Sequence, residues 1–122
     1  MHKLQITVAV VDDDPNILGS VRELLNAKGF ITELFASAEG FLASGVIPRV
    51  DCLLLDIQLA GASGIDLRHH LVACGSKLPV IFMTALMMRP CIGKHSMQGC
   101  VALLHKPFLE HQLIDAIEKA VP

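Results

Sequence analysis

The stretch LQITVAVVDDDP, residues 4–15, gives the strongest indication of the fold. Its first eight residues form a short apolar run rich in β-branched side chains, and the run ends directly at three aspartates. A run with so little polar alternation is typical of a strand that is buried on both faces of a parallel sheet. Asp14 followed by Pro15 indicates a helix start, because proline is favoured at the first helical position. We therefore expect a strand over 4–11 and a helix directly after it, with Asp14 as its cap.

The same alternation of strand and helix recurs along the rest of the chain. Further apolar runs predict strands over 30–36, 51–56, 79–84 and 100–104. Helical spacing and helix starts predict helices over 15–29, 37–42, 64–74 and 90–98, and after Pro107. The last helix is predicted to bury one face made of Leu109, Leu113, Ile114, Ile117 and Val121. Such alternation implies an α/β three-layer sandwich with a parallel sheet and right-handed crossovers, built as one domain over 1–122.

The composition excludes several classes of protein. A chain of 122 residues that is 52% apolar can bury a core without disulfide bonds or structural metal ions. A net charge of −2 provides no basic field for direct nucleic-acid binding. No segment resembles a signal peptide or approaches a membrane span. The four cysteines show no CxxC pairing, so neither a disulfide framework nor a sulfur-based metal site is expected. These features predict a cytoplasmic protein without membrane or nucleic-acid contacts of its own.

Polar residues stand where the predicted strands end, namely Asp12, Asp13, Asp56, Thr84 and Lys106. The carboxyl ends of parallel strands share one edge of the sheet, so we expect these side chains to converge. Three crowded carboxylates repel one another unless a hard cation lies among them, and an oxygen cluster suits Mg²⁺. A hydroxyl and an ammonium complete a site for an anion. The set predicts phosphoryl transfer with Asp56 as nucleophile and with Lys106 and Thr84 as catalytic groups.

Four segments, VVDDDP (10–15), DCLLLDIQLAGASGIDL (51–67), PVIFMTA (79–85) and LLHKPF (103–108), resemble the signature segments of response-regulator receiver domains. The resemblance covers nearly the whole chain and places the five polar positions in the family's order. It implies membership of the CheY-like superfamily and a flavodoxin-like (βα)5 fold with strand order 2-1-3-4-5. The segment SAEGFL (37–42) and Pro90 after Thr84 resemble receivers of the FixJ/NarL type most.

This resemblance implies a phosphorylation switch. Asp56 would be the phosphoacceptor, and a sensor histidine kinase or a phosphotransfer protein would be the donor. Mg²⁺, or Mn²⁺ in its place, would be held by Asp12, Asp13, Asp56 and the backbone carbonyl of Gln58. The chain would not be an enzyme with a separate substrate, because it would catalyse only its own phosphorylation and dephosphorylation. The family also implies a cis peptide between Lys106 and the proline after it.

The resemblance also predicts how the signal leaves the domain. Phosphorylation would change the face formed by the fourth helix, the fifth strand and the last helix, through a switch made of Thr84 and the residue at position 103. Typical receivers have an aromatic residue there, whereas this chain has Leu103, so the usual rotamer switch is not expected. The reader would be a downstream effector or a C-terminal output domain outside this chain, with transcription as the regulated process. A loose helix over 90–98, which contains Gly93, would form a partner or phosphorylation-dependent homodimer surface.

Two other functions are compatible with parts of the pattern. A degenerate receiver would serve only as a docking module and would never accept a phosphoryl group. An aspartyl-phosphate phosphatase of the haloacid-dehalogenase kind also uses a strand-end aspartate, a threonine and a lysine. Such enzymes require a second aspartate two positions after the nucleophile, where this chain has Gln58.

Overall fold

Five parallel strands form the centre of the molecule in a computed structural model that describes residues 5–45, 47–59, 63–84 and 101–121. The strands are β1 (Thr7–Val11), β2 (Ile31–Phe35), β3 (Cys52–Asp56), β4 (Val80–Thr84) and β5 (Ala102–His105). They pair in the order β2-β1-β3-β4-β5, and every pairing is parallel. The predicted flavodoxin-like topology is therefore confirmed.

The described helices are α1 (Pro15–Ala27), α2 (Ala38–Ala43), α3 (Gly64–Ala73) and the C-terminal helix (Glu110–Ala120), with a 3-10 turn at Ile47–Arg49. The Asp14 carboxylate caps α1 by accepting the backbone N–H of Asn16 at 2.9 Å, as its sequence context predicts. Among the helices in these ranges, none combines the length and hydropathy that a membrane span requires. The helix predicted over 90–98, and the partner surface assigned to it, lie outside the described residues.

The core is divided into two apolar layers, one on each face of the sheet. Val8 and Val10 of β1 point into a layer shared with α1 and the C-terminal helix. Ala9 and Val11 point the other way, into a layer shared with α2 and α3. The central strands β1, β3 and β4 are buried over nearly their whole length, which explains why their sequences lack polar alternation. This arrangement is the predicted three-layer sandwich.

Two details of the C-terminal part differ from the sequence prediction. Leu109 is not on the buried face of the last helix, because it precedes the first helical residue, has extended backbone angles and is 62% exposed. The buried face instead consists of Leu113, Ala116, Ile117 and Ala120. The fifth strand ends at His105, one residue later than predicted, because His105 still pairs with Thr84 of β4.

Candidate functional site

The last rungs of the sheet place the predicted polar residues at one edge. Asp12 directly follows β1, and its backbone N–H donates to the carbonyl of Phe35 at the end of β2 at 3.0 Å. Asp56 and Thr84 are the final residues of β3 and β4. Lys106 follows β5, and its N–H donates to the Thr84 carbonyl at 2.7 Å. Backbone hydrogen bonds of the sheet thus fix the positions from which these four side chains project at the ends of four strands.

The ammonium group of Lys106 lies between two carboxylates. Its Nζ is 2.7 Å from Oδ2 of Asp12 and 3.2 Å from Oδ2 of Asp56. The other carboxylate oxygens are also engaged: Asp12 Oδ1 accepts the N–H of Asp14 at 2.9 Å, and Asp56 Oδ1 accepts the N–H of Gln58 at 3.0 Å. Each buried carboxylate is therefore oriented from two sides. The Lys106–Pro107 peptide is cis, as the resemblance implied.

The three predicted acidic residues also meet. One carboxylate oxygen from each of Asp12, Asp13 and Asp56 lies within 4.8 Å of the others. Asp12 and Asp56 are buried, whereas Asp13 is exposed and opens the cluster to solvent. Together with Lys106 the cluster has a formal charge of −2, which one divalent cation would offset. An all-oxygen donor set of this kind fits Mg²⁺ or Mn²⁺ better than a thiophilic ion.

Burial and neighbouring charges both act on the pKa values of the groups in the cluster. Burial raises the pKa of the Asp56 carboxyl above its ordinary value, and the nearby Asp12 charge adds to this rise. The Gln58 N–H and Lys106 lower the pKa of Asp56 but do not cancel the increase. Burial alone would lower the pKa of Lys106, yet the hydrogen bond and charge of Asp12 and the charge of Asp56 raise it, so Lys106 remains a cation. An added cation would favour the ionised form of Asp56.

The two residues predicted to form the switch lie on neighbouring strands. Thr84 is completely buried at the end of β4. Leu103 on β5 pairs in register with Phe82 of β4, and it is partly buried against the apolar layer that contains Phe82. Leu103 thus already has apolar neighbours in this structure. The coupling between Thr84 and position 103 stays a prediction.

Two features of the site were missed from the sequence. The first is the role of Asp12 as the closer partner of Lys106. The second is Gly64, whose N–H donates to the Ile57 carbonyl at 2.9 Å while its Cα lies against the backbone of Asp56. A glycine at the first position of a helix, eight residues after a strand-end aspartate, was the available sequence signal for this contact.

The chain is similar in sequence and in fold to known proteins. The family model described as response regulator receiver domain matches residues 8–118. The transcriptional regulatory protein TdiR of Thauera aromatica is 32% identical over 115 residues, which cover 94% of this chain and 51% of TdiR. The solved structure titled FixJ-N is 31% identical, has a TM-score of 0.84 and matches 98% of this chain and 94% of its own. That of the response regulator StyR is 39% identical, with a TM-score of 0.88, over 94% of this chain and 58% of StyR.

The chain spans about half the length of the curated relatives it matches, as for TdiR and for FixJ of Bradyrhizobium diazoefficiens, of which it covers 51% and 56%. The aligned part is in each case most of this chain. The family model covers residues 8–118, and the fold similarity to the solved structures FixJ-N and StyR extends over 98% and 94% of this chain. The chain belongs to the response regulator receiver domain family.

Proposed function

We propose that this chain is the phosphorylation switch of a two-component system and that Asp56 accepts the phosphoryl group. Receiver domains take phosphoryl groups from histidine kinases and bind Mg²⁺ in an acidic pocket. One observation carries the proposal for these residues. Lys106 Nζ lies 3.2 Å from Asp56 Oδ2 at the edge where carboxylate oxygens of Asp12, Asp13 and Asp56 meet within 4.8 Å.

The chemistry assigns one task to each side chain. An Asp56 carboxylate oxygen attacks the phosphorus of a phosphohistidine, and the P–N bond breaks as an acyl phosphate forms. The histidine ring takes a proton from solvent and leaves as neutral imidazole. The Gln58 N–H orients the carboxylate, Lys106 neutralises charge on a phosphoryl oxygen, and the Thr84 hydroxyl donates to another oxygen. Attack of water on the phosphorus later releases inorganic phosphate and restores Asp56. The chain thus catalyses only its own modification.

The metal part of the proposal rests on the donor set. Asp12, Asp13 and Asp56, with the backbone carbonyl of Gln58, would hold Mg²⁺, and Mn²⁺ would substitute. Bound there, the ion supplies positive charge to the oxygens of the transferred group. The charge of the cluster supports this assignment, because three carboxylates and one ammonium leave two negative charges that a divalent cation would offset. Asp12 would also orient Lys106, since its Oδ2 lies 2.7 Å from the ammonium.

A groove next to the site supports a protein donor. It has a volume of about 240 Å³ and is lined by Ser20 and apolar residues of α1, and by Lys106, Pro107 and Phe108. A donor helix carrying phosphohistidine could pack there with its imidazole toward Asp56. Ser20→Arg should slow transfer from any histidine kinase that labels the unaltered chain. The same change should leave labelling by the small donor acetyl phosphate as it was.

The proposed output is transcriptional. TdiR and FixJ are named transcriptional regulatory proteins, and each is about twice as long as the part that this chain matches. An output domain or separate effector would read the face that contains β5 and Leu103. A homodimer through β5 and the segment 90–98, for which the sequence predicts a helix, would form on phosphorylation. We expect a cytoplasmic location, because the donor kinase would itself be phosphorylated with ATP.

Intact mass spectrometry with Mg²⁺ and acetyl phosphate tests the proposal. We expect one labile phosphoryl group on the chain, none on Asp56→Asn, and full labelling of the control Asp115→Asn, which changes an exposed carboxylate on the C-terminal helix. Labelling that persists in Asp56→Asn would refute the assignment. No labelling of the unaltered chain would instead support a docking module, and turnover of a phosphate monoester would support a phosphatase.

A further inference from the structure

A histidine and a cysteine lie together at the carboxyl end of α3. His70 is in the last turn of the helix, and Cys74 is the first residue after it. Nε2 of His70 and Sγ of Cys74 are 3.7 Å apart, and both residues are exposed. Residues four apart on a helix share a face, so the contact follows from the regular backbone of α3. Neither side chain takes part in the phosphorylation chemistry proposed above.

We propose that His70 and Cys74 form a two-residue site for a thiophilic divalent cation of the Zn²⁺ class. A tetrahedral zinc ion has bonds of about 2.3 Å to sulfur and about 2.0–2.1 Å to nitrogen, which separate the two donor atoms by roughly 3.5 Å. The observed separation of 3.7 Å differs from this by a few tenths of an ångström. Small side-chain rotations therefore suffice to bring both atoms onto one ion.

The donor types determine which ion binds. A sulfur and an imidazole nitrogen favour Zn²⁺ over Mg²⁺, whereas the carboxylates at the strand ends have the opposite preference. On binding, the Cys74 thiol loses its proton to solvent, the thiolate and the neutral His70 imidazole bond to the cation, and water fills the remaining positions. No oxidant or other reactant is required. Because a proton is released, affinity should rise with pH.

The two sites are independent in space. Helix α3 begins at Gly64 beside Asp56 and leads away from it, and His70 is six residues further along. At 1.5 Å per residue this is about 9 Å along the helix axis. Zinc at the α3 site should therefore leave labelling of Asp56 unchanged. His69, which is also exposed, is offset by about 100° around the helix and offers a matched control.

Cobalt(II) titration of the reduced full chain tests the proposal. Excess Mg²⁺ is added first to fill the carboxylate site. The thiolate-to-cobalt charge-transfer absorption then reports sulfur ligation, and Zn²⁺ is added last to displace the cobalt. We expect Cys74→Ser to lose one equivalent of this absorption. His70→Gln should weaken binding by roughly tenfold or more. His69→Gln should bind cobalt like the unaltered chain. The cysteines at positions 91 and 100 are kept in every variant, so that differences in absorption between variants report only the substituted residue.

Two results would overturn the proposal. Absorption that is undiminished in Cys74→Ser would place the bound sulfur elsewhere, and unchanged affinity in His70→Gln would show that the imidazole is not a ligand. All three substitutions are on exposed positions, and equal urea midpoints would show that the variants fold alike. As a second readout, Zn²⁺ should slow amide exchange over residues 70–76 in the unaltered chain and in His69→Gln, but not in Cys74→Ser.

Discussion

Replacing Gly64 with alanine should displace the backbone of the phosphoacceptor. A Cβ at this position would lie 2.1 Å from the carbonyl oxygen of Asp56, 2.9 Å from its carbonyl carbon and 3.0 Å from Cα of Ile57. Ordinary contact begins at 3.4 Å, so α3 and the end of β3 would have to separate by about 1.3 Å. The obstacle is backbone, and no side-chain rotation can relieve it.

The magnitude follows from the type of clash. Forcing extra volume into a packed contact costs about 1–3 kcal/mol of stability. A displacement of about 1 Å at a reacting group lowers the rate of reaction by roughly 100-fold, because catalysis here depends on positioning. Gly19 provides the matched control, since it is within α1 and a Cβ there would meet nothing within 4 Å. Gly19→Ala should therefore raise stability by about 0.5–1 kcal/mol and leave the rate unchanged.

Two measurements decide the matter: urea unfolding of each variant, and the rate of labelling by acetyl phosphate in saturating Mg²⁺, followed by intact mass. Gly64→Ala should show a lower midpoint and much slower labelling than the unaltered chain. A Gly64→Ala variant with the original midpoint and rate would refute the reasoning, because the loop between β3 and α3 would then absorb the new methyl group without moving Asp56.

Three further changes have defined outcomes. Because the folded-state pKa of Asp56 is raised, the folded chain holds more protons than the unfolded chain between the two pKa values, and stability falls as pH rises through that window. At pH 7 without metal, Asp56→Asn should thus unfold at a higher urea concentration than the unaltered chain. The difference between the two urea midpoints should disappear in acid, below the ordinary aspartate pKa. Mg²⁺ at 100 times its Kd should add about 2.7 kcal/mol to the stability of the unaltered chain only. Ser63→Ala removes the oxygen that accepts the Asp66 N–H at 3.0 Å and should cost about 1 kcal/mol in urea unfolding, whereas Ser63→Asp should not. Burial raises the pKa of Cys52 to about 12, so iodoacetamide at pH 8 should label Cys74 in the folded chain but Cys52 only after unfolding, as peptide mapping would show.

Most of the fold could be predicted because its signals are local. The runs that became β1, β3 and β4 lack alternation since both faces of the sheet are covered, and Asp14 and Ser63 act through neighbours two or three residues away. Leu109 was misassigned because helical spacing does not show where the first turn begins. Strand order came from the resemblance, since local pattern contains no information about which strands are adjacent.

The sequence by itself determined which residue types reach the carboxyl edge of the sheet, because a strand's length and its terminal residue are local properties. Only the tertiary structure decided the distances between them: that Lys106 is closer to Asp12 than to Asp56, that Gly64 lies against the Asp56 backbone, and that Asp13 alone of the three carboxylates is open to solvent. These distances depend on how separate strands and helices pack and twist against one another. Lys106 is 94 positions from Asp12 and 50 positions from Asp56 in the chain, so the distances between their side chains are fixed only when that packing is complete.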